Sequence, residues 1–206
     1  MATHNQFLYS LLLLLPLLIT FANAQPLEAV LDINGNPIRS GIEYYISNAF
    51  RAISPPASTL ALAPNRNNSC PFDVVLKQIN GLPLTFSPVN KDATVRVGTD
   101  LNVKFSAATI CVQSTVWKLA DFDESVRKSF VSTGGVEGNP GIATVSNWFR
   151  IEKFEDRYKL VFCPGVCSND KILCRPLCGD IGVFSDGGVR RLAVGEEPLK
   201  VYFRKA

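Results

Sequence analysis

A group of four closely spaced cysteines near the C-terminus limits what this chain can fold into. Cys163, Cys167, Cys174 and Cys178 form the pattern C-x3-C-x6-C-x3-C. Cysteines two to four residues apart commonly hold tetrahedral zinc, so this spacing by itself is compatible with either a metal site or disulfides. The decision depends on whether the cysteines meet a reducing or an oxidising compartment.

The N-terminal segment has the pattern of a secretory signal peptide. The apolar run FLYSLLLLLPLLITFANAQ ends in Ala22-Asn23-Ala24, the small-x-small motif of signal-peptidase sites. Its start lacks basic residues, so a retained membrane anchor is the alternative, but the run contains Pro16 and is short for a bilayer span. We therefore expect residues 1–24 to be removed and residues 25–206 to form one secreted domain without a membrane segment.

The number and position of the cysteines and the histidine argue against zinc sites and histidine-dependent enzymes. All six cysteines lie in residues 25–206, and an even number in a secreted chain indicates disulfides rather than zinc. The only histidine, His4, lies in the predicted signal peptide, so the mature part lacks the usual zinc ligand and proton-transfer residue. A Ser-His-Asp triad and a Cys-His pair are excluded, and we expect neither an enzyme nor a metal or other cofactor. Acidic groups such as Asp121 and Asp123 leave two-carboxylate chemistry formally open, although such groups usually lie in solvated turns. The formal net charge of +3 is too small to indicate nucleic acid binding.

Short runs of alternating apolar and polar residues predict an all-β fold. In LNVKFSA the apolar residues from Leu101 onward share one face, and Asn102 and Lys104 share the other. Similar runs, separated by Gly, Pro, Asn and Asp, are TVWKLA, NWFRIEKF, YKLVF, DIGVF, RRLAV and LKVYF. Many short strands indicate a β-sandwich or a β-barrel, with both tryptophans and Phe162 in the core. A weak internal echo between GNPIRSGIEYYI and GNPGIATVSNWF is compatible with a threefold repeat.

The stretch VLDINGNPIRSGIEYYI, Val30 to Ile46, resembles the N-terminal signature of the plant Kunitz family of the soybean-trypsin-inhibitor type. The segments STVWKL, GGVEGNPG, YKLVFCP, CGDIGVF and RRLAV extend the resemblance over the predicted mature chain and are most similar to the miraculin-like branch. The resemblance implies a disulfide-stapled β-trefoil of twelve strands with pseudo-threefold symmetry. It also implies the disulfides Cys70–Cys111, Cys163–Cys178 and Cys167–Cys174, although the sequence alone leaves other pairings of the four C-terminal cysteines open.

The family resemblance implies a secreted protease inhibitor of serine endopeptidases with a role in plant defence. Such an inhibitor acts through a substrate-like loop between the first two cysteines, which corresponds here to FSPVNKDATVRVGTDLNVKF. Counting back from Leu101 places Lys91 in the primary pocket of the protease, whereas counting forward from Pro88 places Asn90 there. Lys91 suits a trypsin-like serine protease, whose pocket ends in a carboxylate, so we expect Lys91 and Asp92 to flank the reactive bond.

Two positions depart from the family pattern. Asp92 puts a carboxylate directly after the expected scissile bond, where a strong trypsin ligand seldom has one. Ser40 stands where strong inhibitors carry an Asn that supports the loop, and a hydroxyl reaches less far than an amide. The competing interpretation is therefore a non-inhibitory, miraculin-like trefoil protein with a storage, defence or carbohydrate-binding role.

The remaining expectations concern modification, assembly and destination. Asn67 begins the sequon Asn67-Asn68-Ser69 after residues 56–67, which read as a loop, so we expect this glycoprotein to carry its glycan at Asn67. The even cysteine count favours a monomer, and the absence of histidine from residues 25–206 argues against an acid-triggered taste activity. We expect the protein outside the cell or in the cell wall. NPIR at residues 36–39 resembles a vacuolar sorting motif and keeps the vacuole as the alternative.

Overall fold

The computed structural model describes residues 27–48, 58–78, 81–111, 113–166 and 177–206. These residues form twelve β-strands and one short 3-10 helix, Ile142–Asn147. The strands are β1 (Tyr44–Asn48), β2 (Thr59–Pro64), β3 (Phe72–Lys77), β4 (Leu84–Pro88), β5 (Leu101–Phe105), β6 (Lys118–Leu119), β7 (Val131–Ser132), β8 (Arg150–Phe154), β9 (Arg157–Phe162), β10 (Gly179–Asp186), β11 (Val189–Val194) and β12 (Val201–Lys205). The prediction of an all-β fold is confirmed. In the described ranges we find no helix with the length and apolarity that crossing a membrane requires.

Half of the strands close into an antiparallel barrel. β1 pairs with β4, β4 with β5, β8 with β9, β9 with β12, and β12 with β1. The ring is completed by a bridge between Leu101 of β5 and Phe149, which directly precedes β8. Closure leaves these strands without a free edge and encloses apolar side chains such as Ile151 and Phe203, neither of which is exposed.

The other strands form the hairpins β2–β3, β6–β7 and β10–β11, which pair with one another. Asp73 of β3 lies opposite Ser132 of β7, and Arg191 of β11 lies opposite Val75 of β3. The triangle is closed by a bridge from Phe130, just before β7, to Ala193 of β11. Each hairpin thus contacts both others, as a pseudo-threefold arrangement requires.

The core contains the aromatic residues that the alternating runs predict. Trp117, Trp148 and Phe162 are 0%, 1% and 3% exposed. Phe149 packs edge-on against Trp117, with ring centroids 5.7 Å apart, and against Phe162 at 5.5 Å. Such edge-to-face contacts favour one defined packing of the core over others of equal volume.

The interpretation of residues 56–67 as a loop is wrong for Thr59–Pro64, which is β2. This strand pairs with β3 residue by residue, from Thr59 opposite Lys77 to Pro64 opposite Phe72. Leu60 is completely buried. The hydrogen bonds of β2 come from its hairpin partner β3, so the composition of residues 56–67 does not indicate a strand. The prolines and small residues around β2 hide its alternation in the sequence.

Two disulfides join distant parts of the described chain. Cys70 is bonded to Cys111, and Cys163 is bonded to Cys178. Both are pairs that the family resemblance implies. The third implied pair, Cys167 with Cys174, and the predicted signal peptide lie outside the described residues.

Candidate functional site

The predicted reactive loop connects β4 to β5. The two strands are paired from Leu84 opposite Phe105 to Pro88 opposite Leu101, so the loop begins directly after the buried Pro88. The Lys91 N–H donates to the Pro88 carbonyl at 3.0 Å, and the backbone of Lys91 is left-handed, with φ of 56°. Residues 88–91 therefore form a tight turn, whereas we expected a substrate-like extended segment.

Side chains within the loop fix this turn. The Asn90 Oδ1 accepts a hydrogen bond from the Asp92 N–H at 3.1 Å. The Asp92 carboxylate accepts hydrogen bonds from the Thr94 N–H at 3.0 Å and from the Arg96 Nε at 2.7 Å. Arg96 also donates from Nη1 to the Leu27 carbonyl at 2.8 Å. Asp92 is thus tied, through Arg96, to the segment that precedes the first strand.

The same contacts determine the charge at the tip of the loop. Hydrogen bonding from Arg96, and after it from the Thr94 N–H, lowers the pKa of Asp92. Its negative charge is therefore compensated within the loop. Lys91 is exposed and forms no ion pair with any residue in the described ranges, so its ammonium is the cation presented at the tip.

Ser40 supports the loop differently from the expected side-chain contact. Its N–H donates to the Ala93 carbonyl at 2.9 Å, while its hydroxyl donates to the Phe86 carbonyl of β4 at 3.1 Å. The adjacent Ile38 carbonyl accepts a hydrogen bond from the Val95 N–H at 3.0 Å. Segment 38–40 thus holds the second half of the loop mainly through its backbone.

The first half of the loop is held by Asp100, a residue that the sequence analysis did not identify. The Asp100 carbonyl accepts a hydrogen bond from the Val89 N–H at 2.9 Å. Its carboxylate, on a residue only 7% exposed, accepts hydrogen bonds from Arg150 Nε at 2.5 Å and from the Gly165 N–H at 2.8 Å. Asp100 therefore connects the loop to β8 and to the segment after Cys163.

The predicted glycosylation site lies on the surface, away from this loop in the sequence. Asn67 is exposed in a turn, where its N–H donates to the Asn65 Oδ1 at 3.0 Å. The described ranges contain no cluster of three or more His, Cys, Asp or Glu side chains that could hold a metal ion.

Comparison with known proteins identifies the family. A family model for the legume-type Kunitz proteins, described as trypsin and protease inhibitor, matches residues 30–205. The chain belongs to this family. It is 45% identical over 182 residues to Kunitz trypsin inhibitor 5 of Arabidopsis thaliana, covering 87% of this chain and 86% of that protein. It is 44% identical over 197 residues to miraculin of Synsepalum dulcificum, covering 91% of this chain and 87% of that protein.

The structure is similar to that of the Kunitz-type cysteine protease inhibitor PCPI-3 from potato, with a TM-score of 0.74 and 31% identity. This match covers 88% of the present chain and 98% of the potato protein. The expected family and the β-trefoil fold are both confirmed. The family description and several of these relatives are named as protease inhibitors, not as enzymes, so the comparisons support protease inhibition as the general function.

Proposed function

We propose that this Kunitz-family protein inhibits trypsin-like serine endopeptidases, with Lys91 entering the primary pocket and Lys91–Asp92 as the reactive bond. The observation that carries the proposal is an exposed Lys91, with no ion-pair partner among the described residues, on a loop held at both ends. A cationic side chain complements the carboxylate at the base of a trypsin-like pocket. Arg96 compensates the Asp92 charge that would otherwise oppose docking.

Binding requires a local rearrangement of the loop. A protease cleft accepts an extended segment, so Lys91 must leave its left-handed conformation and lose the hydrogen bond to Pro88. A hydrogen bond of this kind has a net worth of about 1 kcal/mol. We therefore expect inhibition that is weaker than that of a loop already extended before binding, because part of the binding energy is used to reorder the loop.

The left-handed Lys91 also favours a second candidate function. A loop that is not extended suits a miraculin-like protein that keeps the scaffold for storage, defence or carbohydrate binding without inhibiting a protease. The similarity to miraculin makes this the main competitor.

The destination, oligomeric state and glycosylation of the protein are part of the proposal. We infer secretion through residues 1–24 to the extracellular space or cell wall, with the vacuole as the alternative, and a defensive role there. The even number of cysteines supports a monomer. The exposed turn around Asn67 supports glycosylation at this position, because a glycan needs an accessible acceptor.

The experiment is titration of the purified mature protein against trypsin, chymotrypsin, subtilisin and papain. We expect stoichiometric inhibition of trypsin that weakens about a hundredfold in Lys91→Ala, because the residue in the primary pocket is a binding hot spot. Lys77→Ala, an exposed lysine at the end of β3, is the matched control and should inhibit like the wild type. Absence of inhibition across the panel would overturn the inhibitor assignment. Equal trypsin inhibition by Lys91→Ala would overturn only the site.

A further inference from the structure

A cavity of about 310 Å3 opens between the hairpins β2–β3 and β6–β7. Polar residues of both hairpins line it, namely Arg66, Asn67, Asp73, Lys118, Asp121 and Ser132. None of them belongs to the loop around Lys91, so the cavity is separate from the proposed reactive site. Ligand pockets of small molecules begin at about this volume.

The most deeply buried polar residues of the cavity have unused hydrogen-bonding capacity. Asp73 and Ser132 are opposite one another in the β3–β7 pair and are 4% and 1% exposed. Asp73 uses Oδ2 to accept a hydrogen bond from Arg191 at 2.6 Å, whereas its Oδ1 accepts none from the described residues. The Ser132 hydroxyl also has no partner in the described part of the chain, but its oxygen is fully enclosed and out of a ligand's reach. The Asp73 Oδ1 is not among the fully enclosed atoms and is therefore the acceptor that a ligand hydroxyl can reach.

The charges around the cavity select against an anionic ligand. Asp73 is paired with Arg191, whereas Arg66 is shared between Asp123 at 2.6 Å and Asp186 at 2.7 Å. Asp121 and Lys118 remain, and their charges are opposite in sign, so the carboxylates outnumber the cations by one. A neutral ligand that carries several hydroxyl groups matches this balance, because it can donate to carboxylates and accept from the ammonium at the same time.

The walls also contain apolar surface. Phe130, Pro71 and Ala120 line the cavity beside the polar residues. A sugar ring has hydroxyl groups along its edge and C–H groups on its faces, so one ring can satisfy both kinds of wall. We propose that this cavity binds one neutral saccharide ring, with hydroxyls on Asp73 and Lys118 and a C–H face against the apolar wall.

The position of Asn67 allows two sources for such a ring. Asn67 is exposed and is itself a lining residue, so a sugar of its own proposed glycan lies within reach of the cavity, as does a separate saccharide. Both sources present the same chemistry to Asp73 and Lys118. The saccharide site does not depend on protease inhibition, and the two proposals can fail independently.

The test uses unglycosylated, 15N-labelled protein produced in bacteria with its disulfides formed. Glucose, galactose, mannose and N-acetylglucosamine are titrated separately while the amide signals of residues 73, 118 and 132 are followed. We expect saturable shifts for at least one sugar, with a dissociation constant on the order of 1–10 mM, as befits a ligand of few atoms. Lys118→Met should weaken this binding about tenfold because a charged hydrogen-bond donor is lost. Lys77→Met, at the exposed end of β3, should not change it.

Absence of saturable shifts up to about 100 mM of every sugar would overturn the proposal. The same conclusion would follow if the folded Lys118→Met variant bound sugar as tightly as the wild type. Glycosylated protein then distinguishes the two sources. Retained binding assigns the cavity to a separate saccharide, whereas binding that is lost and then restored by enzymatic deglycosylation assigns it to the glycan on Asn67.

Discussion

Arg96 sets the shape of the proposed reactive loop, although it lies five positions after Lys91. Its guanidinium joins the Asp92 carboxylate to the Leu27 carbonyl and thereby closes the loop against the N-terminal segment. This role leaves no signal in the sequence, because a four-residue spacing has no fixed geometry outside a helix. The contact converts Asp92 from an apparent obstacle to docking into a support of the loop.

We expect Arg96→Met to make the loop more susceptible to cleavage without unfolding the domain. Loss of both guanidinium contacts frees Asp92, so local opening of residues 90–96 becomes more frequent. Cleavage of the Lys91–Asp92 bond by trypsin should then accelerate severalfold and inhibition should weaken, as followed by mass spectrometry and residual activity. Arg190→Met, which removes a contact with Ser58, is the control. Equal cleavage rates in the two variants would contradict the role assigned to Arg96.

A buried ion pair connects two of the three hairpins. Arg191 of β11 is 6% exposed and donates to Asp73 of β3 at 2.6 Å and to the Pro64 carbonyl of β2 at 2.9 Å. Burial raises the pKa of Asp73 to about 6, although Arg191 opposes this rise. The folded protein therefore binds this proton more readily than the unfolded chain, whose aspartates titrate near pH 3.9. The contribution of Asp73 to stability is greatest below about pH 4 and declines as pH rises through 6.

Arg191→Met should show how far the protein depends on this pair. At pH 7 the variant must bury Asp73 either as an anion without its cation or with a bound proton, and this loss of the partner costs about 3–5 kcal/mol in the free energy of unfolding. At pH 5 the loss should be smaller, because Asp73, with a pKa of about 6, already carries a proton in the wild type. Urea unfolding at both pH values measures the difference. The double variant Asp73→Asn/Arg191→Met has no carboxylate at position 73. At pH 7 it should therefore lose less free energy of unfolding, relative to the wild type, than Arg191→Met does. A loss for Arg191→Met that is independent of pH would refute this account.

At the scale of elements, β5 is partly buried on both of its faces. The alternating run predicts Asn102 and Lys104 on a common polar face, yet Asn102 is 1% exposed and Lys104 is exposed. Asn102 donates to the Asn147 carbonyl at 2.8 Å and accepts from the Gly138 N–H at 2.7 Å. The segment between β7 and β8 therefore covers this part of β5, and two of its backbone groups, the Asn147 carbonyl and the Gly138 N–H, bond to the Asn102 side chain.

Asn102→Leu should destabilise the protein by about 2–5 kcal/mol, because two buried backbone groups lose their partner at about 1–3 kcal/mol each. Chemical denaturation gives the change in free energy of unfolding. Lys104→Leu, on the same face of β5, should cost less than about 1 kcal/mol, since it removes only an exposed ion pair with Glu137. Similar costs for both variants would show that Asn102 does not anchor the covering segment.

The fold could be predicted much further than the contacts that hold it together. The segments YKLVF and LKVYF alternate because every second side chain is buried in the core, and they correspond to β9 and β12. Proline and small residues around Thr59–Pro64 conceal β2, because its stability comes from pairing with β3. The Arg191–Asp73 pair spans 118 positions, and such contacts leave no local pattern. The same reason hides the cavity, whose walls come from separate hairpins.

At the scale of the whole molecule, the last strand closes the barrel. β12 pairs with β1 along Tyr44–Asn48 and with β9 at Tyr158, and its carbonyl at Phe203 accepts a hydrogen bond from the Ile33 N–H at 2.9 Å. Val201 and Phe203 are completely buried. Without β12 the barrel would have two open edges and an uncovered core.

Deletion of residues 201–206 should therefore abolish cooperative folding and not merely lower the stability. We expect loss of a sharp thermal transition by circular dichroism and collapse of amide signal dispersion in NMR spectra. Deletion of Ala206 alone removes one backbone hydrogen bond to Glu43 and should lower the melting temperature only slightly. A cooperative transition in the longer deletion, within a few degrees of the full chain, would show that β12 is dispensable.

The pairing of β1 with β12 also orders the events of biosynthesis. Strands near the two ends of the described chain must meet, so the barrel cannot close while residues 201–205 are still unsynthesised. Cys70 and Cys111 are separated by 41 positions and both emerge well before that moment. Their disulfide can therefore form on a partly folded chain, before the strands on which the final barrel depends have been made.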